Sequence, residues 1–263
     1  PDFFTAKLAE EIVNRKGQAA VIAATNIFAH LADLHDAARA INVLLKQGGV
    51  FVIEAPYLVD LINNLEYDTI YHQHLRYLSV KPMLKFFAMH GMEIFDVEKV
   101  NIHGGSLRIF VGRKGERQVS PNVQKFLDLE EKEQIYLIAR LRKFANDVKE
   151  HKKQLTEMLH SLKQQGKRII CVSAPAKGNT LLNYCRVNSE IIDYATEKSK
   201  LKQGLYTPGT HIPIYGDEKL LEDTPDYALI LAWNFAEEIM RNLGHYKKRG
   251  GKFVIPIPKP RIV

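Results

Sequence analysis

"QAAVIAATNIFAHLADLHDAARAINVLLKQGGVFVIEAP" (residues 18–56) decides the fold class. Its first part, "QAAVIAATN" (18–26), is a short continuous apolar run, which reads as a strand buried on both faces. "DLHDAARAINVLLKQGG" (33–49) then repeats its apolar residues every 3.6 positions. It begins near Asp33, a capping residue, and stops at Gly48-Gly49, so it reads as a capped helix. "VFVIEAP" (50–56) is a second buried strand. Strand, helix, glycine turn and strand at this spacing predict a parallel α/β sheet. Residues 5–15 before it read as a helix with Lys and Glu on the wet face. After it, "KPMLKFFAMHGM" (81–92) reads as a helix with Pro82 in its first turn. "EIFDVEKVN" and "GSLRIFVGR" follow without a long crossover, and so read as an antiparallel pair at the sheet edge.

From about residue 120 to 165 the pattern becomes helical, highly charged and free of Gly and Pro after Pro121. This predicts one long helix or two between two α/β bodies. Its interspersed Lys, Arg, Asp and Glu read as a solvated face rather than a nucleic-acid surface. A strand at 168–173 runs into "SAPAKGNT" and a helix. "IIDYATEKS", "DYALILAW" and "KFVIPIP" are further strands, with a helix over "NFAEEIMRNLGHYKKRGG" ended by Gly250-Gly251. The expected division is 1–117, a helical linker over 118–166, and 167–263.

Composition narrows the function classes. The chain has 263 residues, 46% apolar and 25% charged, which suits globular domains. The net charge of +7 favours anionic small partners. No run approaches the roughly 18 apolar residues of a membrane span, and no signal peptide opens the chain. Cys171 and Cys185 form neither a zinc framework nor a disulfide scaffold, so a reducing cytoplasm is expected. The opening Pro rather than Met suggests a start within a longer protein. Oligomeric state is left open.

Five stretches carry candidate chemistry. "YDTIYHQHLRY" (67–77) packs titratable rings together. In an extended conformation Tyr71 and Gln73 would share one face, and His72 and His74 the other. This admits a metal chelate, an acid–base site or a hydrogen-bonded ring cluster; a closed metal site needs three or four ligands. Asn26 and His30 follow a strand, where ligands of open α/β sheets bind; His30 also reads as a helix-start cap. "HGGS" (103–106), with His103, reads as a hairpin turn or a close backbone approach. "SAPAKGNT" (173–180) offers Lys177, Asn179 and a helix N-terminus to a phosphate, or is a tight turn. His211 sits in the polar loop "TPGTHIPIYGD".

In combination these stretches resemble a family. "LEYDTIYHQHLRYLS", "NIHGGSLRIFV", "SAPAKGNTLLNYC", "KQGLYTPGTHIPIY", "DYALILAWNFAEEIM" and "GGKFVIPIPKPRIV" are similar, in this order, to segments of the S-adenosylmethionine-dependent sugar C-methyltransferases, which act on nucleotide-linked keto-deoxysugars. The likeness covers nearly all 263 residues. It implies the second half of a Rossmann-like methyltransferase sheet, joined by long helices to a second α/β Rossmann-like C-terminal domain. Family members usually begin with a cysteine-rich zinc module and a Gly-rich cofactor loop. Neither occurs in this sequence, so zinc is expected only in that module and the S-adenosyl-L-methionine site is expected to be incomplete here. The family's acid between the two histidines is Gln73 in this chain.

The resemblance implies that His30, Tyr71, Gln73 and His74 line the active site, with His74 as the base. Asn26, Phe3 and Phe4 would remain from the cofactor site. Lys177, Asn179, His103 and His211 would contact the nucleotide-sugar, with no resident metal. The alternatives are a non-catalytic nucleotide-sugar binding protein derived from the family, and an H-x-H metallohydrolase. Neither nucleic acid nor membrane is an expected partner.

Overall fold

The computed structural model describes residues 2–100 and 104–263. The chain forms two compact units, residues 1–63 with 72–141, and residues 64–71 with 142–263.

In the first unit, α1 (Ala6–Lys16) starts where the Thr5 hydroxyl accepts the Leu8 N–H. α2 (Leu34–Leu44) starts where the Asp33 carboxylate accepts the Asp36 N–H at 2.9 Å. These caps satisfy amides that no helical carbonyl reaches. β1 (Ala19–Thr25) and β2 (Leu45–Pro56) are parallel. α3 (Leu58–Asn63), α4 (Val80–Met89), β3 (Met92–Val100), β4 (Ser106–Arg113) and α5 (Pro121–Lys132) complete this unit. The sheet order is β1-β2-β4-β3, with β4 antiparallel to both neighbours. Phe51, Ile53 and Ala55 of β2 face Val111, Ile109 and Leu107 of β4, and all six are buried. This two-residue period fixes the register, since a slip by one residue would turn the apolar set outward.

Three expectations change. The helix from Asp33 ends at Leu44 rather than at the glycines. β2 begins at once, and the register jumps from Ala19↔Leu45 to Val21↔Val50, so Gly48 (φ +68°) and Gly49 lie in a bulge. β1 is an edge strand, not one buried on both faces: Val21 is 63% exposed. Continuous apolarity cannot distinguish a central strand from an edge strand. Residues 71–77 form a turn and irregular loop rather than an extended strand.

The glycine pair of "HGGS" joins β3 to β4. Gly105 has φ +136°, and a Cβ there would lie 2.2 Å from Asp60 Oδ2. Backbone conformation and close approach both require glycine. His103 lies outside the described residues.

α6 (Ile138–Gln164) contains the boundary between units. Its Val148, Leu155 and Leu159 enter the core of the second unit. There β5 (Ile169–Val172), β6 (Ala195–Thr196), β7 (Ile214–Tyr215), β8 (Tyr227–Ile230), β9 (Lys252–Ile255) and β10 (Arg261–Ile262) form a sheet ordered β10-β9-β8-β5-β6-β7. All its pairings are parallel except β9–β10. α7 (Ala176–Cys185), α8 (Glu218–Asp223), α9 (Ala236–Asn242) and α10 (Gly244–Lys248) complete it. The strand expected over "IIDYATEKS" shrinks to two residues. The helix expected over 234–251 is broken near Leu243-Gly244.

Candidate active site

His30 and His74 are brought together at the carboxyl end of β1, with ring centroids 4.9 Å apart. Three contacts hold the loop carrying His74 against residues 29–32. The Leu75 N–H donates to Ala29 O at 3.2 Å, and the Arg76 guanidinium donates to Leu31 O and to Ala32 O. His30 Nδ1 lies 2.7 Å from Gln73 O. A carbonyl only accepts, so Nδ1 carries the proton. The neutral His30 ring then has a lone pair at Nε2 and no second N–H to donate. The Gln73 side chain is exposed and His74 is half-buried. Asn26 adopts φ +55°, and its N–H donates to Glu54 O at 2.7 Å. Phe3 is 87% exposed. Phe4 packs against Ala9, Ala40 and Leu44.

Tyr71 belongs to the second unit, with the short 3₁₀ turn Tyr67–Thr69. Asp68 is fully buried there. Its Oδ2 accepts the Trp233 Nε1–H at 2.7 Å. Its Oδ1 has no hydrogen bond of good geometry, although the nearby Asp68 and Thr69 amides favour its charge. Lys177 Nζ lies 4.0 Å from the centroid of the Trp233 ring and bonds Asn234 Oδ1, a placement that favours the ammonium. Burial pushes the Asp68 carboxyl up to about 6, against the Lys177 charge and the Trp233 bond. Burial likewise lowers Lys177, while Asp68 and Glu66 act to raise it. The Tyr71 phenol is raised by burial and then by the Asp68 charge. Asn179 Oδ1 is buried without a hydrogen-bond partner. His211 is exposed on its loop, 6.2 Å from the Tyr206 ring.

A second buried group fastens the same turn. The Tyr67 hydroxyl lies 3.0 Å from His151 Nδ1 and 3.5 Å from Cys185 Sγ. His151 Nε2 is 2.7 Å from Pro256 O, so neutral His151 donates from Nε2 and accepts from Tyr67 at Nδ1. Burial lowers its pKa, opposed by the Pro256 bond. The unfolded chain therefore binds a proton near the ordinary value of about 6.5, while the folded chain resists it. This contribution to stability is complete at neutral pH and is lost as pH falls through and below that value. Asp68, raised above its unfolded value, acts oppositely between about pH 4 and 6. Urea melts at pH 7 and 5 should therefore show a larger acid loss in the wild type than in His151→Gln. Equal losses would remove His151 from the account.

At the carboxyl ends of β5, β6 and β8 the second unit holds a cavity of about 270 Å³, lined by Ser173, Glu197, Asp217, Phe235 and Glu238 among others. This is where α/β sheets place ligands. Glu197 accepts from the Ala174 and Ser199 amides and from Lys202. Asp68, Trp233, His151 and Glu197 were not singled out from the sequence. A lone acid before an apolar run gives no local signal of burial. Among the described residues, no three His, Cys, Asp or Glu side chains gather as a metal would need, and no helix is long and apolar enough to cross a membrane.

Residues 101–258 match the family described as C-methyltransferase C-terminal domain. The chain belongs to this family. C-methyltransferase NovU of Streptomyces niveus is 36% identical over 264 residues, covering 100% of this chain and 63% of its own length. The chain thus spans less than two thirds of that relative's length. The mixed α/β sheets agree with the Rossmann-like methyltransferase fold expected from the sequence.

Proposed function

We propose that the protein transfers a methyl group from S-adenosyl-L-methionine to C3 of a nucleotide-linked 4-keto-deoxysugar. The observation that carries this reading is the His30–His74 pair at a strand carboxyl end, in a chain of a C-methyltransferase family. A C4 ketone acidifies the C3 proton. Neutral His74 removes it, and the electrons pass into the carbonyl as an enolate. Tyr71 donates its O–H to the developing oxyanion, a contribution of about 3 kcal/mol for a well-placed donor. His30, whose Nδ1–H is taken by Gln73 O, orients the loop and accepts at Nε2. The donor supplies an electrophilic sulfonium methyl: the C3–C bond forms as the S–C bond breaks. Of this chain, Asn26 and Phe3 are the proposed contacts to the donor; the core packing of Phe4 favours it less.

In this reading residues 1–117 are the catalytic half, 118–166 a helical linker and 167–263 the C-terminal domain. The last would hold the nucleotide-sugar through Asn179 and His211, with His103 from the catalytic half. Lys177 is more directly a counter-ion to Asp68 than a phosphate ligand. The proposed compartment is the cytoplasm.

Labelled-methyl transfer by the full-length protein tests the reading. Failure to methylate any nucleotide-linked 4-keto-deoxysugar, with the sugar still bound, would favour the binding-protein alternative. A finer check uses Gln73→Glu. A carboxylate next to the base favours its imidazolium form, so the acid limb of the rate profile should move to higher pH. An unmoved limb would separate residue 73 from the base.

A further inference from the structure

We propose that Arg76 is a positioning residue for this reaction: its guanidinium clamps the loop that carries His74 onto the segment that carries His30, and so sets where the base stands. The inference rests on the function proposed above, and all its groups lie in the first unit. The His30 side of the pair is held by its own packing. Phe28, on the same 3₁₀ turn, is fully buried and packs against Phe51, Phe86 and Phe87. Asp33 then caps α2, whose Ala37, Ala38, Ala40 and Ile41 are buried. The His74 side has no such support of its own. Residues 73–76 belong to no helix or strand, Gln73 is exposed, and Leu75 is 52% exposed. Apolar burial begins again only at Leu78, whose carbonyl accepts the Leu58 N–H at 2.9 Å.

The loop therefore takes its place from hydrogen bonds to residues 29–32. The Leu75 N–H donates to Ala29 O, and His30 Nδ1–H donates to Gln73 O. Arg76 adds two more, to Leu31 O and to Ala32 O, the latter at 2.9 Å. Both of these acceptors are main-chain carbonyls, so the guanidinium serves as a clamp rather than as half of an ion pair. Its planar fork presents separate N–H groups to two successive carbonyls, which the compact ammonium of a lysine reaches less well. The clamp falls two residues after His74 and the Gln73–His30 bond one residue before it, so the base is bracketed on both sides. Displacing the loop by about 1 Å would spoil its alignment with a C3 hydrogen, a misplacement that can cost about 10²-fold in rate. Without the clamp the Gln73 carbonyl drifts as well, and His30 loses the partner that keeps its hydrogen on Nδ1.

The test uses the full-length protein. Arg76→Met keeps the aliphatic stem and removes both donors, whereas Arg76→Lys keeps one ammonium for two carbonyls. Histidines are labelled with nitrogen-15 and read at about pH 8, where an ordinary imidazole is neutral; His30→Ala assigns the His30 signals. The wild type should show the Nδ1–H tautomer at His30. Arg76→Met should move it toward the Nε2–H form, and Arg76→Lys should lie between. In labelled-methyl transfer kcat of Arg76→Met should fall by about 10- to 100-fold, with the nucleotide-sugar KM within about twofold. Solvent exchange of the C3 hydrogen should fall in step, and Arg76→Lys should recover part of the loss. An unmoved His30 tautomer in Arg76→Met overturns the proposal, as does unchanged C3 exchange or a loss confined to KM. If Arg76→Met does not fold, Arg76→Lys carries the test, and wild-type spectra with wild-type kcat in that variant are equally decisive against it. The tautomer is read without turnover. A wild type that neither exchanges nor methylates any nucleotide-linked 4-keto-deoxysugar would sink the proposed function, while the His30 signal still shows whether Arg76 holds the loop.

Discussion

His74→Ala in the full-length protein is expected to lower labelled-methyl transfer by at least about 10²-fold, the lower end of what a positioned base contributes. The half-buried ring neighbours His30 at 4.9 Å and Tyr77 at 6.5 Å, and the loop around it is held by main-chain and Arg76 contacts. Removing the imidazole leaves those supports in place, so folding should persist. The partial reaction gives the sharper readout. Without methyl donor, the wild type should exchange the substrate's C3 hydrogen for solvent deuterium, and His74→Ala should not. Exchange at the wild-type rate in the variant would assign the base elsewhere. His30→Ala should retain part of the exchange, because that ring orients the loop rather than taking the proton.

The second large effect is on stability. Glu130 on α5 is fully buried. Its carboxylate accepts the Val80 and Lys81 amides at the start of α4, at 2.5 and 3.1 Å. It also accepts the hydroxyls of Tyr57 at 3.2 Å and Tyr136 at 2.5 Å. The Ser79 side chain makes no capping bond, so Glu130 caps this helix from another element. Burial and then the Glu130 charge raise the Tyr57 phenol, so the hydroxyl stays a donor. Glu130→Ala leaves two amides and two hydroxyls without this acceptor. With about 1–3 kcal/mol for each stranded group and partial recovery by water, a loss of roughly 3–5 kcal/mol is expected. At about 2–4 °C or somewhat more per kcal/mol for a unit of this size, the melting transition of the first unit should fall by roughly 6–20 °C. Glu130→Gln keeps one acceptor oxygen and should lose less. A Glu130→Ala transition within about 2 °C of the wild type would remove this carboxylate from the list of main supports.

Local chemistry made much of the fold legible. Thr5, Asp33 and Ser120 begin helices by accepting amides two or three residues ahead, and such contacts depend on nearest neighbours alone. The apolar runs at 169–172 and 227–230 are central parallel strands because both faces are covered. The same reading failed at β1, where the apolar run lies on an edge, because pairing partners are not written in a strand's own residues. It also failed at 71–77, where period-two reasoning assumed an extended chain and contacts to residues 29–32 impose a loop.

The candidate site divides the same way. Residue type and spacing made the histidines and tyrosines of 67–77 candidates for acid–base chemistry; it was the resemblance to a methyltransferase family that implied His30, Tyr71, Gln73 and His74 as one site. Tertiary structure brought His30 within ring contact of His74 across 44 positions of chain, and decided which nitrogen of His30 carries its hydrogen. It also buried Asp68 beneath Trp233, 165 residues away. Sequence records which groups can ionise or donate. Which of them lose water, and which charge they face when they do, is settled only when distant segments close around them.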